Sequence, residues 1–274
     1  MSLRRVYYKL SPKQRLWARK SVYWPMDTWQ LLFGQKKKFI PPKGKIFIGS
    51  GDFEEIGNSH LRHFIELGGL QPQHNVLDIG CGIGRMAVPL LPFLLDTSIY
   101  DGFDIVKPGI DWCIENIQSE YPNFRFKHVP LENDLYTSDG DSAASFTFPY
   151  DASFYDFVIL TSVFTHMQLE EVNQYLSEML RVMKPGGSAF VNFFIINERS
   201  KAAMVTQPTF QFPHDHGDYF LMDKHVKSAN IAFKEESIDR FIMEAGLTID
   251  EKYYGKWARF KEGVSFQDIY ILRK

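Results

Sequence analysis

The chain contains a strand-like segment that runs directly into a turn with three glycines at alternate positions. The segment reads VLDIGCGIGR over residues 76–85, and Asp78 stands two residues before the first glycine. Because glycine has no Cβ, such a turn can adopt left-handed backbone angles and lets a ligand approach the main chain. The pattern therefore predicts a strand, a ligand-binding turn and a following helix, which together open an α/β sheet.

Strand-like and helix-like segments alternate after this turn. Strands are predicted at 75–79, 98–104, 124–129, 155–160 and 188–195, with helices at 84–95, 108–120 and 168–182. At this spacing, right-handed crossovers give a doubly wound, mostly parallel sheet with helices on both faces. A helix at 235–245 and apolar stretches at 247–253 and 264–272 predict an antiparallel C-terminal pair. The predicted fold class is therefore α/β and Rossmann-like, with seven strands.

Two segments lie outside this alternation. Residues 1–50 carry twelve Lys or Arg and one acid, Asp27, whereas the rest of the chain carries 19 bases and 32 acids. We predict a basic, aromatic-rich N-terminal arm over 1–50 and a main domain over 51–274, with a cap insertion at 196–234 on the substrate side. Charge attraction and the arm's many aromatic residues favour an arm packed across the acidic body. Contact with nucleic acid or an anionic lipid surface is the alternative.

The glycine spacing separates two kinds of nucleotide-binding turn. In the dinucleotide fingerprint G-x-G-x-x-G, the third glycine would fall at the bulky Arg85. The pattern D-x-G-x-G-x-G instead resembles the first motif of the class I S-adenosylmethionine (SAM)-dependent methyltransferases. The segments 148–160 and 184–187 resemble the fourth strand of that family and the turn before its fifth strand. The combined resemblance covers roughly residues 60–195 and points to the broad small-molecule branch.

The resemblance implies a transferase whose cofactor is SAM. Asp78 would face the ammonium group of SAM or an ordered water, and Asp104, at the tip of the second strand, would accept hydrogen bonds from both ribose hydroxyls. NAD enzymes place an acid in the same way, so Asp104 alone does not discriminate. The helix N-terminus after the turn would face the carboxylate of SAM. The other predicted cofactor contacts come from the turn and from the strand tips: Gly80, Cys81, Gly82, Gly84, Ile105, Val129, Leu131 and Thr161.

Adenine recognition departs from the family pattern. The family commonly has an acid after the third strand, where this chain has Pro130. We therefore expect Ile105 to pack on the adenine, and backbone groups near Val129 and Leu131 to replace the missing acid.

Histidines are the candidates for catalysis and for acceptor binding. His166 follows the fourth strand, where a neutral imidazole can take a proton from a hydroxyl or an amine during transfer. Capping or packing is the alternative interpretation of His166. His214, His216 and Tyr219 lie in the predicted cap and are candidate substrate contacts. No metal is expected, because two or three such ligands make a weak site.

The segment after the fourth strand argues against a nucleobase as the methyl acceptor. Residues 161–167 lack the Asn/Asp-Pro-Pro-Tyr/Phe quartet of nucleobase amino-methyltransferases, and no Pro-Cys pair offers a nucleophile for cytosine C5. The predicted acceptor is an oxygen or nitrogen atom of a small molecule. The alternatives are a SAM-binding regulator without catalysis, a nucleic-acid-associated methyltransferase that uses the arm, and an NAD-type oxidoreductase.

Compartment and partners follow from composition. The chain has two cysteines, Cys81 and Cys113, and no apolar run reaches ~18 residues. We expect a cytoplasmic protein without a membrane partner, and nucleic acid is disfavoured as a partner. The sequence leaves the oligomeric state open.

Overall fold

Strands and helices alternate along the part of the chain that the computed structural model describes, residues 12–34, 37–47, 51–133, 140–206, 210–259 and 261–274. The strands are β1 (Val76–Ile79), β2 (Tyr100–Asp104), β3 (Phe124–His128), β4 (Tyr155–Leu160), β5 (Met183–Phe193), β6 (Ile195–Ile196), β7 (His214–Asp215), β8 (Tyr219–Leu221), β9 (Ile231–Lys234), β10 (Thr248–Tyr253) and β11 (Asp268–Arg273). The helices are α1 (Pro12–Phe33), α2 (Phe53–Glu66), α3 (Ala87–Leu90), α4 (Lys107–Cys113), α5 (Leu169–Val182), α6 (Glu198–Thr206) and α7 (Glu235–Glu244).

The central sheet has seven strands in the order β10-β11-β5-β4-β1-β2-β3. Strands β1 to β5 run parallel to one another, while β11 is antiparallel to both β5 and β10. The predicted doubly wound, mostly parallel α/β sheet with an antiparallel C-terminal pair is confirmed. The strand order reverses between β1 and β4, and this reversal determines where a ligand site can lie.

Helices cover both faces of the sheet, because successive side chains of a strand point to opposite faces. Leu77 of β1 faces a core that contains residues of α5 and α7. Val76 faces a second core that contains residues of α2, α3 and α4. Burial on both faces explains why the central strands are almost continuously apolar in sequence.

The helix after the glycine turn is much shorter than predicted. The sequence predicts residues 84–95, but α3 covers only Ala87–Leu90. Pro89 and Pro92 both lack the N–H group that an α-helix needs in order to continue. The predicted contribution of this helix terminus to carboxylate binding is reduced accordingly.

The segment predicted as a cap contains a second, four-stranded sheet in the order β6-β9-β8-β7. One face of this sheet joins the main core through Leu221, Ile231 and Phe233. The other face packs, through Ala232 of β9, in a separate cluster with Trp257. The cap is therefore fixed to the main domain through both faces of its sheet.

The described residues of the arm form the long helix α1 and a segment, 37–47, that contains a short 3-10 turn at Lys43–Lys45. Seven of the large apolar side chains of α1 are between 48% and 73% exposed: Trp17, Val22, Trp24, Met26, Trp29, Leu32 and Phe33. The expectation that the aromatic residues of the arm pack is therefore wrong for the tryptophans of α1. Tyr7 and Tyr8 lie outside the described residues.

Candidate functional site

The turns that follow β1 and β4 lie side by side at the reversal of strand order. A Cβ built on Gly80 would lie 2.4 Å from Cγ2 of Val163. In open α/β sheets, ligands bind outside the carboxyl ends of the strands at such a reversal. The edge of the sheet at the ends of β1 and β4 is therefore the candidate site.

The glycine turn is held against the end of β2 by its own main chain. Gly80 and Gly82 have φ angles of 74° and 61°, which disfavour residues with a side chain. The N–H groups of Gly80 and Cys81 donate to the Phe103 carbonyl at 2.9 and 3.1 Å. The turn is thus fixed in position before any ligand binds.

Asp104 connects this turn to the loop that follows β2. One carboxylate oxygen accepts from the N–H of Gly82 at 2.8 Å, and the other accepts from the N–H of Val106 at 2.7 Å. The side chain is 9% exposed, and burial raises its pKa. A carboxylate offers about four acceptor positions, so capacity remains for two hydroxyl donors.

Asp78 lies fully buried at the end of β1. One oxygen accepts from the Tyr100 hydroxyl at 2.6 Å, while Oδ1 has no hydrogen-bond partner among the described residues. Burial raises the pKa of Asp78 to about 7, with a smaller contribution from the charge of Asp104. Two desolvated carboxylates beside one turn fit a ligand that brings a positively charged group and hydroxyl donors. SAM, with its ammonium, its sulfonium and its ribose, is such a ligand.

The predicted adenine side is more closed than expected. The N–H of Val129 donates to the Asp104 carbonyl, and the N–H of Leu131 donates to the Val129 carbonyl, both at 3.1 Å. These N–H groups are already used, and both side chains lie in the core. Ile105 follows Asp104 in the chain and is only partly buried.

Two other predicted cofactor residues have different surroundings. The Cys81 side chain is buried, and a Cβ on Gly102 would lie 3.0 Å from its sulfur. Cys81 therefore fills the core beneath the turn. Thr161 directly follows β4 and remains half-buried at the candidate edge.

His166 ends a 3-10 turn (Phe164–His166) after β4, and its ring is anchored to the cap. Its Nδ1 lies 2.7 Å from the carbonyl oxygen of Ser228. Because a carbonyl oxygen only accepts, Nδ1 carries the proton, and Nε2 is the basic nitrogen of the neutral ring. His166 thus has the tautomer that a general base acting through Nε2 requires.

The cap histidines lie apart from this anchor. His214 belongs to the edge strand β7, opposite Leu221 of β8. The exposed His216 ring stacks on Tyr219, with ring centroids 5.2 Å apart. Across the described ranges, no cluster of three or more His, Cys, Asp or Glu side chains is arranged to hold a metal ion.

Polar residues that the motifs do not identify lie at the same edge of the sheet. The Ser162 hydroxyl donates to Oε1 of Gln267 at 2.7 Å. Asp268, the first residue of β11, is buried and accepts from the N–H groups of Ile195 and of the Trp257 indole, both at 2.7 Å. Because β11 is antiparallel to β5, its first residue lies at the edge where β5 ends. The predicted antiparallel pair is the sequence signal that could have identified these residues.

Comparison with known families identifies the central segment. Residues 76–187 match the family described as "Methyltransferase domain". The matched segment starts with β1, ends within β5, and includes the glycine turn, Asp78 and Asp104.

Solved structures share the fold at low sequence identity. The PH0226 protein from Pyrococcus horikoshii OT3 is 15% identical over 90% of this chain and 98% of its own, with a TM-score of 0.56. A SAM-dependent methyltransferase from Clostridium acetobutylicum ATCC 824 is 14% identical over 82% and 92%, with a TM-score of 0.52. The [4+2]-cyclase SpnF is 16% identical over 79% and 80%, with a TM-score of 0.51. These similarities concern the fold alone.

Proposed function

We propose that this chain, whose residues 76–187 match a methyltransferase domain, uses SAM to methylate an oxygen or nitrogen atom of a small molecule. The observation that carries the proposal is the pair of buried carboxylates, Asp78 and Asp104, beside the glycine turn. Both are desolvated, and one oxygen of Asp78 has no partner within the described ranges. A cationic ligand with a ribose matches both features.

The proposed cofactor contacts follow the order of the strands. The turn from Gly80 to Gly84 holds the methionine part of SAM, and Asp78 faces its ammonium group. Asp104 accepts from the ribose hydroxyls, Ile105 packs on the adenine, and Thr161 lines the end of β4. When bound, SAM supplies a methyl group that is carried on a sulfonium sulfur. After transfer, the sulfur remains as a neutral thioether.

The chain's own part in transfer is to position the acceptor, to exclude water and to accept a proton. We place the acceptor beneath the cap formed by residues 196–234, with His214, His216 and Tyr219 as candidate contacts. His166 is the candidate base, because its Nδ1 bond to Ser228 leaves Nε2 as the basic nitrogen. A base is needed only when the acceptor atom carries a proton.

Ligand titration followed by a transfer assay tests this function. We expect calorimetry to show binding of SAM and S-adenosylhomocysteine but not of NAD. Mass spectrometry should then detect methylated product and S-adenosylhomocysteine when small hydroxylated and amine-containing compounds are supplied. Binding of NAD in place of SAM would contradict the proposal. Tight SAM binding with no transfer to any acceptor would favour the regulatory alternative, and the cyclase SpnF shows why fold alone cannot decide.

A further inference from the structure

Helix α1 leaves a broad apolar surface without a partner among the described residues. Seven large apolar side chains, named above, are 48–73% exposed along its 22 residues. Three of them, Trp17, Trp24 and Trp29, are among the five tryptophans of the chain. Indole rings favour the boundary between water and lipid, because they combine an apolar body with a polar N–H.

The contacts of α1 with the turn at Lys43–Lys45 lie on a different face of the helix. Asp27 accepts from the N–H groups of Lys43 and Gly44, both at 2.9 Å, and Nε of Arg19 donates to the Lys43 carbonyl at 3.4 Å. A Cβ built on Gly44 would lie 3.6 Å from the Cβ of Tyr23. Arg19, Tyr23 and Asp27 recur every four residues and form one stripe of the helix. With this stripe turned toward Lys43–Lys45, the exposed apolar side chains are presented to solvent.

Charge indicates what covers that surface. Residues 1–50 carry twelve bases, of which Lys37 and Lys38 pair with Glu54 and Glu120, and their single acid, Asp27, accepts from main-chain N–H groups. The remainder of the chain is acidic, with 32 acids and 19 bases. An anionic surface would therefore attract the arm and repel the body, so that the protein would bind with α1 toward the surface.

We propose that α1 is an interfacial helix that docks the protein on an anionic lipid membrane. Exposed tryptophans beside a cluster of bases favour the boundary between water and an anionic lipid surface. Two copies joined through α1 would bring together two arms that each carry a formal charge of +11. Nucleic acid would leave Val22, Met26 and Leu32 in water. This proposal takes up the anionic lipid surface that the basic arm left open as an alternative, and it differs from the expectation of no membrane partner, which rested on the lack of a long apolar run.

None of the helices in the described residues is long and apolar enough to cross a membrane.

Intrinsic fluorescence of the full chain is a direct test. Trp112 and Trp257 are 5% and 1% exposed, so any environment change on vesicle binding reports on the tryptophans of α1. We expect a blue shift on adding phosphatidylcholine vesicles that contain about 30% phosphatidylglycerol. Binding of the protein to pure phosphatidylcholine vesicles should be weaker by about tenfold or by a larger factor. About 0.5 M salt should weaken its binding to the anionic vesicles.

Matched variants assign the contact to α1. The triple variant Trp17→Ser/Trp24→Ser/Trp29→Ser should float with anionic vesicles about tenfold less than the wild type, with an unchanged circular dichroism spectrum. The control Val205→Ser/Met243→Ser removes apolar side chains that are 85% and 61% exposed on α6 and α7, and should float like the wild type.

Four outcomes would overturn the proposal. They are no enrichment on anionic vesicles, equal binding to pure phosphatidylcholine, full binding by the triple variant, and loss of binding in the control as well. Light scattering that shows a dimer lost only in the triple variant would instead assign the face to a second copy of the chain. Salt-sensitive RNA binding lost in the same variant, without vesicle binding, would assign the face to nucleic acid.

Discussion

The two carboxylates beside the glycine turn respond differently to a cationic ligand. Asp104 is already bonded to two N–H groups, whereas Asp78 has a pKa raised to about 7 by burial and one oxygen without a partner in the described chain. A nearby positive charge favours the ionised form of a carboxyl group and lowers its pKa. Binding of SAM should therefore ionise Asp78.

We predict that SAM binding near neutral pH releases protons. The fraction released should fall as pH rises above the pKa of Asp78, because the group is then already ionised before binding. Calorimetry in buffers of different ionisation enthalpy measures this release. Asp78→Asn should abolish it, since the amide oxygen can still accept from Tyr100 but does not ionise. Release that persists unchanged in Asp78→Asn would assign the proton to another group.

For Asp104→Asn we predict a loss of cofactor affinity that depends on the hydroxyl groups of the ribose. Asp104→Asn replaces one carboxylate oxygen by an NH₂ group, so a backbone N–H loses its acceptor. Loss of a hydrogen bond to a charged group costs about 1.5–3 kcal/mol, or roughly ten- to hundredfold in affinity. Wild type should discriminate between S-adenosylhomocysteine and its 2′-deoxy analogue, and the variant should not. Equal discrimination by both proteins would mean that Asp104 only holds the glycine turn in position. Asp96→Asn, at an exposed aspartate, serves as the control.

For His166 the expected effect is on turnover rather than on cofactor binding. Once an acceptor is found, His166→Ala should reduce turnover roughly 10²–10⁴-fold while SAM affinity stays constant, because a general base contributes about that much. The control His225→Ala, at an exposed histidine of the cap without a proposed role, should change turnover far less. A His166→Ala enzyme with normal turnover would leave His166 as an anchor for Ser228.

At the scale of elements, a comparison of two glycines distinguishes the space that the glycine turn leaves for a ligand from the backbone strain that a side chain would cause there. Gly82 and Gly69 have φ angles of 61° and 75°, so a β-branched residue is strained at both positions. Gly69 has no atom within 4 Å of an added Cβ, and it lies before β1, away from the turn. We predict that Gly82→Val abolishes SAM binding, whereas Gly69→Val lowers only stability. Comparable losses of SAM affinity in the two folded variants would show that strain, and not occupied ligand space, explains the effect.

The strands were more predictable than the helices for physical reasons. Strand β4 has the predicted bounds because a run of apolar residues buried on both faces has a clear sequence signature. For the helix after the turn, the apolar pattern favours a longer helix than the prolines at 89 and 92 allow. Helix α1 continues through Pro25, which removes one hydrogen bond.

Candidate-site residues were predictable where one strand and its turn define them. Asp78 lies one residue before the end of β1 and Asp104 ends β2, so their positions follow from the alternation alone. The bond from His166 to Ser228 joins residues 62 apart, across an insertion with no periodic pattern. The use of the Val129 and Leu131 N–H groups within the loop is equally invisible in sequence. Local chemistry was therefore predictable, and contacts that depend on the path of the cap were not.

At the scale of the whole molecule, the predicted arm contains two physically different parts. Helix α1 is attached to the turn at Lys43–Lys45 mainly by polar contacts. Residues 37–47, in contrast, contribute Ile46 to the buried core, with Phe39, Ile40 and Phe47 packed against it. This difference in burial indicates that the sequence-based boundary at residue 50 separates side chains that stabilise the same core.

Two truncations test this division of the arm. Removing residues 1–34 should change the thermal midpoint by only a few degrees, because α1 buries little apolar surface. Removing residues 1–50 deletes Ile46 and its neighbours, and burial of a single large apolar side chain is worth about 1.5–3 kcal/mol. At roughly 2–4 °C per kcal/mol, the longer truncation should lower the midpoint clearly further. We also expect the longer truncation to reduce turnover, because it removes Phe47, a neighbour of the glycine turn. A Cβ built on Gly109 would lie within 3 Å of the Phe47 ring and 2.6 Å from the Gly82 carbonyl oxygen. Equal destabilisation by both truncations would show instead that α1 packs on the body as strongly as residues 37–47 do.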